Sequence, residues 1–220
     1  MKVILFGASN FSKSIDFYLS RESNYKVVAY TDNKKALEGN SEFNGKPLCS
    51  FDLVEKIYPP TEFKMFVAVG YVKLNAIRKY FIEKAIEKGY ELINHISPTS
   101  IYWDDLILGQ NIFIFEGNIV QPEVQIGTGV ILGRGNSIGH GSIIGDYAFL
   151  ANRTVLCGNC YIGSGSFVGS NATICDDVII AERNLIGANC LIRKNTKPAA
   201  VYVQEAAKEL DKDSSAFFNW

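Results

Sequence analysis

The sequence predicts an α/β N-terminal domain with a small parallel sheet, followed by a parallel β-helix built from six-residue rungs. Every sixth residue from Leu108 to Ile192 is a medium-sized aliphatic, through Ile114, Val120, Ile126, Leu132 and Ile138, in fourteen unbroken steps. A period of six fits neither the 3.6 of a helix nor the 2 of a flat strand, so the chain turns a corner every six residues. Glycine follows the aliphatic at positions 127, 133, 139, 145, 163, 169 and 187, where a corner calls for a residue without a Cβ. Before residue 98 the period is absent, and strand and helix patterns alternate instead.

In that first part KVILFG (2–7) reads as a buried strand. Behind it Ser9-Asn10 can cap a helix carrying Phe11, Ile15, Tyr18 and Leu19. KVVAYTD (26–32) is a second strand and MFVAVG (65–70) a third. A helix with Leu74, Ile77, Phe81, Ala85 and Ile86 on one face follows and closes at Gly89, and ELINHI (91–96) is a fourth strand. Ligands of such sheets gather beyond the carboxyl ends of the strands. Here those ends are Gly7, Ala8 and Ser9 with Asn10, then Asp32 and Asn33, then Gly70 and Tyr71.

Ser97-Pro98 and Lys197-Pro198 bracket the repeat, giving domains at 1–97 and 98–197 and a C-terminal capping segment at 198–220. Within the last, VQEAAKELDK reads as a short helix and SSAFFNW as a terminal segment with exposed aromatics. A solenoid needs both open ends covered, one by the first domain and the other by this segment.

Four residues after each aliphatic sit small groups such as Val130, Ser142, Ala148, Thr154, Ser166 and Ala172, suited to the narrow interior of a prism. The residue before each aliphatic points outward. With three rungs per turn, one face carries Phe113, Ile131, Phe149, Phe167 and Leu185. A second carries Ile119, Ser137, Val155, Thr173 and Leu191, and a third Gln125, Ile143, Tyr161 and Ile179. The first is apolar throughout and is expected to be an exposed interface, with a homotrimer as the natural closed assembly.

Composition narrows the function. Of 220 residues 47% are hydrophobic and 20% charged, and 22 Lys plus Arg nearly balance 23 Asp plus Glu. No global field recruits nucleic acid or an anionic membrane, so a small-molecule partner is expected. The opening MKVILFGASN is too short for a signal peptide's apolar region, and no stretch reaches a membrane span, which makes the cytoplasm the expected location. Cys157 and Cys160 form a CxxC, but no second CxxC or histidine pair completes a zinc site. The cysteines read as small packing residues, and no metal is expected. Two histidines in the whole chain also exclude a three-histidine catalytic zinc.

Of those two, His95 ends a strand and reads as packing, whereas His140 lies one residue past a corner glycine with little bulk around it. An imidazole there can take a proton as an amine or hydroxyl attacks a thioester. GASNFS lacks the G-x-G-x-x-G spacing of a dinucleotide site. The first turn can still present the N–H groups of Ala8, Ser9 and Asn10 to a phosphate, and Asp32 can bond hydroxyls or a base edge; a plain turn with a solvated Asp is the alternative. Arg193, Lys194 and Lys197 cluster at the end of the repeat, as a phosphate site or as a solvated basic end.

The segments VILFGASNFSKSI, VVAYTDN, FVAVGYVKLNAIRK, NSIGHGSIIGDYAFLA, YIGSGSFVGSNATI and LIGANCLIRKNT together resemble bacterial sugar acyltransferases of the left-handed β-helix class. The group includes sialic-acid O-acetyltransferases and the N-acetyltransferase of bacillosamine synthesis. The resemblance implies a left-handed coil and acetyl-CoA as acyl donor. It also implies a nucleotide-linked amino sugar of surface glycan or lipopolysaccharide biosynthesis as acceptor, and a site between subunits. It makes His140 the general base and sets Gly158, Ser170, Gly187 and Ala188 along the pantetheine of coenzyme A, with the Gly158 N–H as the expected oxyanion donor. Arg193 and Lys194 would then meet its phosphates. The chain departs from the group at Gly141, where relatives carry Glu or Asp, and at Phe149, where they carry a second histidine. Transfer to a hydroxyl, transfer of a longer acyl group, and a noncatalytic nucleotide-sugar-binding scaffold are the competing readings.

Overall fold

The structure, a computed structural model, describes residues 1–33, 39–211 and 214. Strand β1 (Lys2–Phe6) is buried from Val3 to Phe6, as a central parallel strand with both faces covered must be. It lies between β2 (Lys26–Asp32) and β5 (Lys64–Val67), parallel to both. Two further strands, β3 (Glu42–Phe43) and β4 (Lys46–Ser50), extend the sheet to the order β3-β4-β2-β1-β5. The sequence pattern does not announce β4 because Pro47 and Lys46 interrupt its apolar run. Helix α1 (Asn10–Glu22) starts at Ser9, whose hydroxyl accepts from the Ser12 N–H while the Ser12 hydroxyl accepts from the Ser9 N–H. A single turn, α2 (Val54–Ile57), precedes β5, and α3 (Ala76–Glu87) follows it.

Two expectations about this domain are corrected. The buried stripe of α3 is Arg78, Ile82 and Ala85, with Ile86 exposed and Ile77 and Phe81 half-buried. The helix is rotated because it packs against the β-helix as well as the sheet, with the Ile82 Cδ1 only 2.7 Å from where a Cβ on Gly129 would sit. The segment 91–96 is not a regular fourth strand of this sheet. Leu92 bridges to Met65, while His95–Ile96 (β6) pairs with Phe113–Ile114 and so belongs to the first rung of the β-helix.

The β-helix therefore begins before residue 98, and it runs past 197, since Val201–Tyr202 pairs with Leu185–Ile186. Its two-residue strands stack in parallel into three sheets, one of seven strands and two of five. From β6 to Leu191–Ile192 each strand pairs with the one eighteen residues on, as Phe113 with Ile131 and Ile131 with Phe149, and only the last pair, Leu185 with Val201, is sixteen apart. The aliphatics of the six-residue period fill the interior with the small residues between them, Val130, Ser142, Ala148, Thr154, Ser166 and Ala172 all being fully buried. Cys160 and Cys190 occupy equivalent interior positions. A Cβ on Gly139 would collide with the Cys157 carbonyl of the next turn, so these corner glycines answer to the spacing between turns and not to a left-handed backbone.

The first domain does not close an end of the solenoid. It lies along the side, on the face of Phe113, Ile131 and Phe149, and packs Val3, Leu5, Ile15, Leu19 and Phe66 against them. Phe113 and Ile131 are 0% exposed and Phe149 8%. The expected oligomer stripe is thus an interface within one chain, for the same reason that made it conspicuous: an apolar ridge of that length needs cover. The outward apolar residues of the other two faces, including Ile119, Val155 and Leu191 on one and Ile143, Tyr161 and Ile179 on the other, stay exposed. At the C-terminus, Tyr202 packs against the last interior residues, but Val203 to Leu210 form no helix. Val203 and Leu210 stay exposed, with no apolar surface to order the segment. The aromatic residues of SSAFFNW lie outside the described residues.

Candidate functional site

The strand ends of the α/β domain bring all seven expected residues to one cleft of about 720 Å³. Gly7, Ala8, Ser9, Asp32, Asn33, Gly70 and Tyr71 line it, and Phe149 of the β-helix contributes to its wall. Gly7 has φ 115, and a Cβ there would lie 2.9 Å from the Ala68 carbonyl oxygen, so this turn demands glycine on both counts. Asp32 is nearly buried. Its Oδ2 accepts from the Ala8 N–H at 2.7 Å and its Oδ1 from the Asn33 N–H at 2.7 Å. With the Ser9 N–H donating to the Ser12 hydroxyl, two of the three amides expected to cradle a phosphate are already engaged. A carboxylate occupies the place, and its remaining lone pairs suit a ligand that donates, such as a hydroxyl or a base N–H. Tyr71 leans over Phe149 and Phe167, ring centroids 5.2 and 4.9 Å away, which continues the apolar face into the cleft.

The loop carrying Gly70 and Tyr71 is fastened to the β-helix along one corner. Residues 111, 129, 147 and 165 mark successive turns there. Asn111 accepts from the Val67 N–H at 2.7 Å, and Asn75 donates to the carbonyls of Gly165 and Ser166. Between them Arg78, fully buried, donates from Nε to Gly129, from one terminal nitrogen to Val69 and Gly70, and from the other to Tyr147 and Ala148. Burial with no carboxylate beside it pulls its pKa down to about 9, still above neutrality, so carbonyl dipoles hold a cation. These ties support Lys73, Leu74 and Asn75 in left-handed backbone, at φ 49, 49 and 66. Sequence reading missed this arginine; its signal was the spacing 78, 82, 85, which puts it on one helical stripe with Ile82 and Ala85.

His140 lies elsewhere. It sits on the corner between the two uncovered faces, joining Ser137–Ile138 to Ile143–Ile144, and so opposite the face on which the first domain packs. Its side chain is exposed. Its backbone N–H donates to the Gln121 Oε1 at 2.9 Å, and Nδ1 lies 3.3 Å from the same oxygen. A proton on Nδ1 is thereby favoured, leaving Nε2 as the basic nitrogen. The ring lies against Gly158 of the next turn, where a Cβ would come within 2.5 Å of Cε1 and 2.8 Å of Nε2. Gly158 is thus a shelf for the imidazole. Its N–H donates to the Asp176 Oδ1 at 3.0 Å, which corrects the expectation that this amide is poised as an oxyanion donor. Gly141 has φ +64, and Glu123, eighteen residues earlier on the same corner, has φ 63, so the backbone there tolerates a side chain, although a Cβ on Gly141 would lie 2.5 Å from the Asn159 Oδ1 and that amide would have to move. Gln121, another residue the sequence reading missed, supplies the orienting contact that relatives were expected to make from position 141.

The expected coenzyme residues divide between two corners. Gly158, Arg193 and Lys194 share the corner of His140, with Arg193 and Lys194 exposed at its end. Ser170 and Ala188 line a groove at the corner beside the first domain, and Gly187 lies next to them with its N–H on the Tyr202 carbonyl at 2.7 Å. His95 is buried against Phe113, ring centroids 4.7 Å apart, with Nε2 3.1 Å from Glu22. Its burial, outweighing Glu22, lowers its pKa. It is a packing residue.

An α/β domain lying along a parallel β-helix of hexapeptide rungs, with an imidazole on one corner, defines the class of hexapeptide-repeat transferase folds. Residues 2–85 match the PglD N-terminal domain, and residues 141–176 and 159–194 match the bacterial transferase hexapeptide of six repeats. The first match covers the α/β domain and the second lies within the parallel β-helix. The acetyltransferase domain of PglB from Neisseria gonorrhoeae superposes with TM-score 0.81 at 22% identity, over 91% of this chain and 95% of that one. PerB from Caulobacter crescentus, in complex with CoA and GDP-perosamine, superposes with TM-score 0.79 at 23% identity, over 90% of this chain and 91% of that one. A histidine-to-asparagine variant of perosamine N-acetyltransferase from the same organism gives 0.81 at 21%, over 91% and 92%. No curated protein matches the chain in a sequence search. These likenesses establish the fold over almost the whole chain. No helix among the described residues is long and apolar enough to cross a membrane.

Proposed function

We propose that the protein is an acetyl-CoA-dependent N-acetyltransferase acting on a nucleotide-linked amino sugar. The single observation that carries this reading is His140. It is an exposed imidazole held through Nδ1 by Gln121 and lying against Gly158, which leaves Nε2 to act as the base. Two solved structures of the same fold, both from Caulobacter crescentus, hold CoA and GDP-perosamine, which supports the same pair of substrate classes here. The amine attacks the thioester carbonyl as its proton passes to Nε2; the new C–N bond forms, the C–S bond breaks, and the thiolate leaves to take up a proton. The nucleotide belongs in the cleft of Asp32, Gly70 and Tyr71.

Within one chain that cleft and His140 lie on opposite sides of the prism, so the site forms between copies. The division of the coenzyme residues supports the same arrangement: Ser170, Gly187 and Ala188 of one copy and Gly158, Arg193 and Lys194 of another make one groove if their corners adjoin. The assembly is a homotrimer held by the uncovered faces of Ile119, Val155 and Leu191 and of Ile143, Tyr161 and Ile179. It works in the cytoplasm, in surface-glycan or lipopolysaccharide synthesis. The test is thiol release from acetyl-CoA with a panel of UDP-, GDP- and dTDP-linked amino sugars, their hydroxy counterparts and longer acyl-CoAs. Turnover only with hydroxy sugars, or only with longer acyl-CoAs, replaces the acceptor or donor named here, and no turnover with any of them removes the enzymatic reading.

A further inference from the structure

The cleft of the α/β domain poses an electrostatic problem. A nucleoside diphosphate brings two phosphates, yet the amides of Ala8 and Ser9 at the start of α1 are engaged, the first by the carboxylate of Asp32. No Lys or Arg lines this cleft among the described residues. The cleft is continuous with the groove along the neighbouring corner, because Phe11, Ser14, Tyr71 and Phe149 line both. That second groove, of about 430 Å³, contains one cationic side chain among its lining residues, Arg134.

Arg134 is held in a defined pose. Its Nε donates to the Glu116 Oε1 at 2.7 Å, one terminal nitrogen donates to the Tyr18 hydroxyl at 3.1 Å, and its guanidinium lies 4.6 Å from the Phe115 ring centroid. Those contacts use two of five N–H groups. The other terminal nitrogen has no hydrogen-bond partner among the described residues, and the side chain is 44% exposed. A stacked guanidinium fixed from behind, with spare N–H groups on its fork, matches the geometry of a phosphate oxygen pair.

We infer that Arg134 binds the diphosphate of the nucleotide-linked substrate, where the cleft opens past Ser14 into the neighbouring groove. Asp32 then meets the donor groups of the nucleoside, and the sugar is carried out along the corner toward Ser170, beside which the acyl donor is expected. Glu116 sets the pose of Arg134 and opposes the ligand's charge, so it is a positioning residue with an electrostatic cost. The inference rests on the nucleotide-sugar reading above.

Calorimetric titration of the full-length protein with UDP, GDP and dTDP, and with the matching nucleosides, tests it. Arg134→Gln is expected to weaken the best diphosphate about 10- to 100-fold, the range of a hydrogen bond between charged groups, while leaving the nucleoside affinity unchanged. Glu116→Gln breaks the same ion pair but removes the opposing charge, so it should keep or tighten diphosphate binding. Thermal unfolding of both variants controls for folding. Equal weakening in the two variants would show that the pair serves only structure, and unchanged binding in Arg134→Gln would overturn the inference. Lys34 and Lys35, which follow Asn33 but lie outside the described residues, are exchanged for Ala in parallel; loss there with none at Arg134 also overturns it. A wild-type protein that binds none of the three diphosphates sinks the nucleotide-sugar reading itself, a distinct outcome.

Discussion

The two corners that flank opposite parts of the prism are built on different principles. The corner beside α3 is dense: at each of four turns a buried Asn or Arg spans the junction to the α/β domain, and the Arg78 guanidinium is satisfied wholly by backbone carbonyls. The corner of His140 is sparse, with one glutamine contact, a glycine beneath the ring and exposed cations at its end. The first arrangement fixes a loop of the strand-end cleft in a strained conformation. The second leaves an imidazole open to whatever docks against it. Rigidity is placed at the loop that lines the strand-end cleft, and access at the exposed imidazole.

Removing the imidazole should have the largest effect on this contrast. His140→Ala or His140→Asn is expected to lower turnover by about 10²- to 10⁴-fold with an unchanged melting temperature, since a positioned base contributes about that much. Near-wild-type turnover would move the base elsewhere. On the dense corner the corresponding loss is one of stability. Arg78→Met leaves the carbonyls of Gly129, Gly70 and Tyr147 without their donor, and chemical unfolding should show a loss of about 3–5 kcal/mol. A loss under 1 kcal/mol would mean that water replaces the guanidinium and that the corner is less tightly closed than it looks.

Gly158→Ala sharpens the comparison, because the added methyl displaces the imidazole without touching its chemistry. Turnover is expected to fall about tenfold or more, as misplacing a reacting group by an ångström can cost about 10²-fold, with little change in unfolding. Assembly is the next test. Leu191→Asp, on an uncovered face, should break the oligomer in sedimentation while the monomer stays folded. Phe113→Asp, beneath the α/β domain, should instead prevent folding. A wild-type monomer at micromolar concentration removes the shared site.

The smallest expected effect is a pH dependence confined to the buried histidine. Burial lowers the His95 pKa in the folded chain, so below pH 6.5 the unfolded chain binds the extra proton and stability declines as pH falls. His95→Phe should flatten that decline in unfolding curves recorded between pH 7 and 5. An unchanged slope would assign it to other groups.

The sequence by itself determined the periodic part of this protein and the identity of its most exposed chemistry. Six-residue spacing of aliphatics is a local code, since each rung repeats the same turn and the same interior, so faces, corner glycines and the outward place of His140 follow from register alone. The termini of β1, β2 and β5 were likewise legible, because buried parallel strands are continuous apolar runs, and they led to the seven residues of the cleft. Tertiary structure decided what lies against what. Period and polarity show that the Phe113 face needs cover, but an apolar face carries no label for its partner, and here the chain's own first domain supplies it. The same holds for Arg78, whose five donors find carbonyls on five residues brought together only by folding, and for Asp32, whose carboxylate takes the amide that a phosphate was expected to use. Hydrophobic burial is written in composition and spacing; the pairing of buried polar groups depends on distances that exist only once the two domains are docked.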